Sequence, residues 1–250
     1  MTRPLPILGQ ADPPPEHVPG ARERALTALW TQQSPQIYQF KNWRTVLKLQ
    51  RRFNLKPASL TGLKVAIPTG KVPDCDNCLD VCCTGENAVV SLRLQDIARL
   101  LDLNKAELLS WERPQVPAKE AKKKHSWARR EADGSIFHRA FPVLARDATG
   151  TCKAITEDRL CGLWPSWPLS CARYPYALDI RNNVVFYAAG CTSTRIAPMS
   201  AAPVVVRRLV RATLEAYNQR LRDVWLLALA RPQLEDLGLL SWVKVDELGF

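Results

Sequence analysis

The chain has 250 residues, 46% of them hydrophobic, which suffices for one large domain or two small ones without disulfide staples. Against 24 acidic residues stand 35 lysines and arginines, giving +11 and a pI near 9.5. That balance admits a nucleic-acid or acidic partner without requiring one. Residues 1–20 hold six prolines and no apolar h-region, and no apolar run is long enough to span a bilayer. The expected setting is the cytoplasm, where thiols stay reduced, so the eight cysteines call for a role other than bridging.

Residues 1–20 read as a disordered, Pro-rich leader. Ser34-Pro35 has the form of a helix cap followed by proline at the first helical position. Ile37, Phe40, Trp43 or Arg44, Leu47 and Gln50 follow at helical spacing, with Lys41, Lys48, Arg51 and Arg52 outside that stripe. This is expected to be a packing helix, with membrane-surface or RNA contact as alternatives. A short strand is expected at 65–67 and another at 88–92. Leu94, Ile97, Ala98 and Leu101 then predict a helix. Asn104 with Glu107 resembles a capping box and predicts a second short helix through Leu108, Leu109 and Trp111.

A basic segment comes next. Arg113, Lys119, Lys122, Lys123, Lys124, Arg129 and Arg130 face only Glu120 and Glu131, with Trp127 among them. It reads as a solvated surface, and the stretch Lys119 to Arg130 is the candidate contact for nucleic acid or an acidic partner. One tryptophan is no stacking platform. A strand is expected over 136–144 and another over 184–187. From Pro203 the residues Val206, Val210, Leu214, Tyr217, Leu221 and Trp225 define a long amphipathic helix ended by Pro232. The tail from Leu234 is expected to fold back through Leu239, Leu240 and Trp242.

The cysteines fall in two groups. The first is Cys75, Cys78, Cys82 and Cys83; the second is Cys152, Cys161, Cys171 and Cys191. Two cysteines separated by two residues can turn both sulfurs toward one ion, and Cys82 adds a third one short turn later. Cys83 is adjacent to it and is expected to serve a second metal, a bridge or packing. Four sulfurs within nine residues are hard to explain as packing, because crowded thiolates repel unless a cation compensates them. A redox dithiol is the competing reading. His17, His125 and His138 are expected to be structural or exposed, which leaves a thiolate-only site suited to zinc or to an iron–sulfur cluster.

These residues resemble the YkgJ-like cysteine-cluster family, described as zinc- or iron-chelating. The resemblance rests on Cys75-x2-Cys78-x3-Cys82-Cys83, the following Val90-Ser-Leu-Arg-Leu-Gln-Asp96-Ile97, and Cys152-x8-Cys161-x9-Cys171 with Tyr174-Pro175. It covers roughly residues 70–195. The chain departs from the pattern at Trp167-Pro168 and Ala172-Arg173, where the family tends to place arginines before the proline and just after the cysteine. A flagellin lysine methylase carries a similar cluster, and that likeness favours iron–sulfur over zinc.

The expected fold is α+β: an irregular metal-stabilised core with short strands, flanked by an N-terminal helix and a long C-terminal helix. Its expected segments are the leader 1–20, a helical segment 21–69, a cysteine-cluster domain 70–195 with a basic insertion near 112–135, and a helix and tail 196–250 packing on that domain. No P-loop, GxGxxG, GxSxG or HExxH is present, and no catalytic residue can be named. The function expected is metal binding through all eight cysteines. The alternatives are a protein-modifying enzyme related to the methylase, or a metal-stabilised nucleic-acid-binding module.

Overall fold

The structure, a computed structural model, describes residues 17–53, 57–66, 71–73, 83, 89–112, 128–130, 136–138, 140–158, 161–187, 194–196 and 202–243. It is an α+β protein with an N-terminal helix, a long C-terminal helix and several short strands. The chain divides into two compact units. One comprises Met1–Val18, Pro57–Val90 and Arg146–Gln219; the other comprises Pro19–Lys56, Ser91–Ala145 and Arg220–Phe250.

In the first unit a three-stranded sheet is built from Lys64–Ala66, Val184–Tyr187 and Tyr176–Asp179, with Val184–Tyr187 in the middle. Its hairpin turns at Asp179, whose carboxylate accepts from the N–H groups of Arg181 and Asn182 and from the Asn182 amide. The Asn182 amide, foremost among these donors, holds the Asp179 carboxyl below its usual range. Asn183 takes the left-handed conformation (φ 52°) that asparagine tolerates in such turns. Lys71–Pro73 pairs antiparallel with Thr194–Ile196.

Alternation along these strands turns Tyr176 and Val185 inward, where they form a core with Ala58, Leu209, Val210 and Leu214. The last three come from the helix Ala202–Leu229, so the period read from Val206 onward does bury one stripe. Asn218 on that helix clasps Ala58 at both ends. Its side-chain oxygen accepts from the Ala58 N–H and its amide donates to the Ala58 carbonyl, each at 3.0 Å.

The second unit is organised by helix termini. Helix Ala21–Gln33 begins beside Asp102, whose carboxylate accepts from the N–H groups of Arg22 and Glu23. Those are orphan donors of the first helical turn, and an anion there is favoured by the helix dipole. A side chain at Gly20 would collide with the same carboxylate, which explains glycine at that position. Buried Glu23 pairs with Arg99 at 3.0 Å.

Helix Leu94–Asp102 matches the expected one, and Asp96 caps it by accepting from the Arg93 N–H at 2.9 Å. A second carboxylate, Asp223, accepts from the Leu94 N–H at 3.2 Å. Desolvation pushes the Asp223 carboxyl up to about 7, aided by nearby Asp96 and opposed by the charges of Arg93 and Arg222 and the Leu94 hydrogen bond.

Several local expectations change. The helix expected from Pro35 starts only at Trp43 and runs to Phe53; Ser34–Tyr38 is a 3-10 turn instead. The Asn42 side chain donates to the Gln36 carbonyl at 2.7 Å, so a local side-chain bond competes with helical pairing there. The helix Ala21–Gln33 lies in the segment expected to be helical. Asn104 does not cap a following helix. It sits at φ 55° and closes the preceding one, with its N–H donating to Leu101 and the Lys105 N–H to Leu100.

A 3-10 turn, Ala106–Leu108, leads into the strand Leu109–Glu112, which pairs with Phe141–Leu144. Trp111 therefore lies on a strand rather than a helix, stacked 5.8 Å from Trp242 and donating to its carbonyl. The expected strand at 136–144 is two, Ile136–His138 and Phe141–Leu144, and the one at 88–92 reduces to a bridge between Ser91 and Val143 among the described residues. Pro232 opens a further helix, Arg231–Asp236, and the tail folds back through buried Leu239 as expected.

Candidate metal centre

All eight cysteines belong in sequence to segments of the first unit, Pro57–Val90 and Arg146–Gln219. Four of them, Cys83, Cys152, Cys161 and Cys171, are among the described residues; Cys75, Cys78, Cys82 and Cys191 lie outside them. Cys152 is buried and the other three described cysteines are half-buried.

The two groups meet through the backbone. The Cys152 N–H donates to the Cys83 carbonyl at 2.7 Å. Cys152 is delivered to that position by a tight loop. It bridges Arg146, and between them Asp147 accepts from the Thr149 N–H, the Thr149 hydroxyl and the Thr151 N–H at 2.6–3.0 Å. These donors, the Thr149 hydroxyl foremost, hold the Asp147 carboxyl below its usual range.

From Cys152 the chain turns immediately, with the Ile155 N–H donating to the Cys152 carbonyl at 3.0 Å. Ile155 forms an antiparallel bridge with Cys161, and the Gly162 N–H donates to the Ala154 carbonyl at 2.8 Å. Cys83, Cys152 and Cys161 thus follow one another along a short path of backbone bonds. Cys171 is placed by a different device, the short helix Leu169–Arg173, where its N–H donates to the Pro168 carbonyl. The Arg173 guanidinium then donates to the carbonyl of buried Tyr176 at 2.8 Å, tying the helix to the sheet.

His17 contributes a contact that periodicity and spacing could not show. Its Nδ1 lies 2.8 Å from the Ser166 hydroxyl, in the loop between Cys161 and Cys171. Trp164 and Trp167 pack against each other in the same loop, 4.5 Å apart. Residues 1–16 lie outside the described residues. His138 lies on the strand Ile136–His138, as expected, while His125 is outside the described residues.

The contacts along the Cys83–Cys152–Cys161 path are between backbone groups; the thiol as a ligand class suits zinc or an iron–sulfur cluster and not a hard cation. Among the described residues, no three His, Cys, Asp or Glu side chains form a group that could hold a metal ion. Arg113, Lys119, Lys122, Lys123, Lys124 and Trp127 lie outside the described residues; Arg129 and Arg130 fall on the strand Ala128–Arg130, which pairs with Ile136–His138. No described helix is long and apolar enough to cross a membrane. Comparison with family models, with curated proteins and with solved structures finds no match.

Proposed function

We propose that this protein binds a metal through Cys75, Cys78, Cys82, Cys83, Cys152, Cys161, Cys171 and Cys191, as an iron–sulfur cluster or as zinc, with the cluster favoured. The observation that supports this most is the hydrogen bond from Cys152 to Cys83. Two cysteine-rich segments far apart in sequence meet at a cysteine on each side, as a site assembled from both requires. Exclusivity adds to it, since no cysteine lies outside the two groups. When bound, zinc would supply folding free energy, and a cluster would supply one-electron chemistry.

The residues around the thiols have separate tasks in this reading. Asp147 holds the loop that presents Cys152, the Pro168 carbonyl anchors Cys171, and burial of Cys152 excludes water from its sulfur. The test is to purify the full chain without oxygen, measure iron, acid-labile sulfide and zinc per chain, and record the visible spectrum. A coloured protein with matching iron and sulfide supports the cluster; a colourless one with stoichiometric zinc supports zinc. Absence of both, with all eight thiols reacting freely in the native protein, overturns the proposal.

A further inference from the structure

On the second unit, residues 24–56 carry seven lysines and arginines and no aspartate or glutamate. Within that acid-free stretch the structure exposes aromatic surface. Tyr38 is 89% exposed, Trp43 44% and Leu47 39%. Among the described residues of this unit only Leu103 is a comparably exposed large apolar side chain, so the exposure is concentrated on one short segment.

The helix Trp43–Phe53 divides its faces sharply. Leu49 is buried and Thr45 and Val46 are half-buried, while Trp43, Leu47, Arg44 and Lys48 are exposed. At 100° per residue Trp43 and Leu47 share one line along the helix, and Arg44 and Lys48 share the line beside it. The Arg44 guanidinium lies 5.7 Å from the centre of the Trp43 ring. Tyr38 and Lys41 approach from the preceding turns, which are held by the Asn42 side chain on the Gln36 carbonyl and by the Asn42 N–H on Gln39. These bonds hold the backbone of the turns that carry Tyr38 and Lys41.

We infer that this surface binds single-stranded nucleic acid, with Tyr38 and Trp43 stacking on bases and Lys41, Arg44 and Lys48 contacting phosphates. Charge complementarity calls for a polyanion, because no carboxylate in the segment opposes it. Exposed rings beside guanidinium and ammonium groups are what unpaired bases and their backbone require. An anionic membrane fits less well. A helix lying in a bilayer interface gives its apolar stripe to lipid, and here Leu49 is already committed to the interior. The residues named here are distinct in sequence from the cysteines and from Lys119, Lys122, Lys123 and Lys124.

The experiment measures fluorescence anisotropy of a labelled oligouridylate, and separately an oligodeoxythymidylate, of about 20 nucleotides titrated with the full-length protein. Vesicles of phosphatidylserine and phosphatidylcholine are the control arm. Binding is expected, with affinity falling steeply between about 50 and 200 mM salt. Trp43→Ala and Tyr38→Ala should each weaken it about fivefold or more. Arg44→Gln with Lys48→Gln should lower the slope of log affinity against log salt by about 1.4, since each single-strand phosphate contact contributes about 0.7.

Tyr38, Arg44 and Lys48 are exposed, so variants there should keep the parent's melting temperature and circular dichroism; Trp43→Ala, which also removes covered ring surface, should keep the parent's circular dichroism. A variant with Lys119, Lys122, Lys123 and Lys124 changed to Gln should retain the aromatic dependence. No binding of either oligonucleotide at low salt overturns the inference. So does binding indifferent to Tyr38→Ala and Trp43→Ala, or binding to vesicles alone.

Discussion

The N–H of Cys152 donates to the carbonyl of Cys83 at 2.7 Å, joining the end of the first cysteine group to the start of the second. A metal centre drawing on both groups would be closed at this point. Cys83→Ser and Cys152→Ser are therefore expected to lower metal content per chain and melting temperature together. Stripping metal from the parent with a chelator should lower its melting temperature as well, because a ligand bound only by the native state stabilises it. Unchanged metal content in both variants would assign these two cysteines to packing.

Asp223 predicts a pH dependence. Its folded-state value, about 7, lies above the ordinary aspartate value of 3.8, so between these limits the native state binds more protons than the unfolded chain. Its contribution is fully present below about pH 4 and is lost as the pH rises through about 7. Asp223→Asn keeps an oxygen for the Leu94 N–H and removes the charge. The variant should show a higher urea midpoint than the parent at pH 8 and a smaller difference at pH 5. Equal midpoints at both pH values would remove Asp223 as the titrating group.

Gly20 and Asp102 should behave as one unit. Gly20→Ala places a carbon where the Asp102 carboxylate sits, and Asp102→Ala removes that carboxylate from the Arg22 and Glu23 N–H groups. Each is expected to cost about 1–2 kcal/mol, the usual range for losing an N-terminal cap. The double variant should cost much less than the sum, because both changes abolish the same contact. Additive losses in denaturant titrations would show that the glycine serves another purpose.

Asn218→Ala tests the clasp on Ala58. The substitution leaves the N–H and the carbonyl of a buried residue without this partner. A loss of about 1–3 kcal/mol is expected by chemical denaturation. A loss near zero would mean that water replaces the amide.

What could be read in advance was whatever depends on near neighbours. The helix at Leu94–Asp102 and the long helix Ala202–Leu229 announce themselves because their apolar residues recur at the helical period. The hairpin strand Val184–Tyr187 is similarly plain, being a run of β-branched and aromatic residues ahead of a glycine. Near Trp43 and Trp111 apolar spacing does not locate the elements. At Ser34–Tyr38 a side chain captured a backbone carbonyl, and at Asn104 a left-handed residue ended a helix instead of starting one. In both places the deciding group has the composition of a helix cap, and only its actual partner tells which role it takes.

The sequence by itself determined that this chain is α+β, that its cysteines form two exclusive groups, and that residues 24–56 are basic without a single acid. Composition and spacing carry that much because they are properties of the chain before it folds. Tertiary structure alone decided that Cys83 meets Cys152, that Asp223 and Asp102 cap helices remote from them in sequence, and that Trp43 and Tyr38 face outward. Each depends on which distant segment arrives at a given backbone group or side chain, and no local period encodes that.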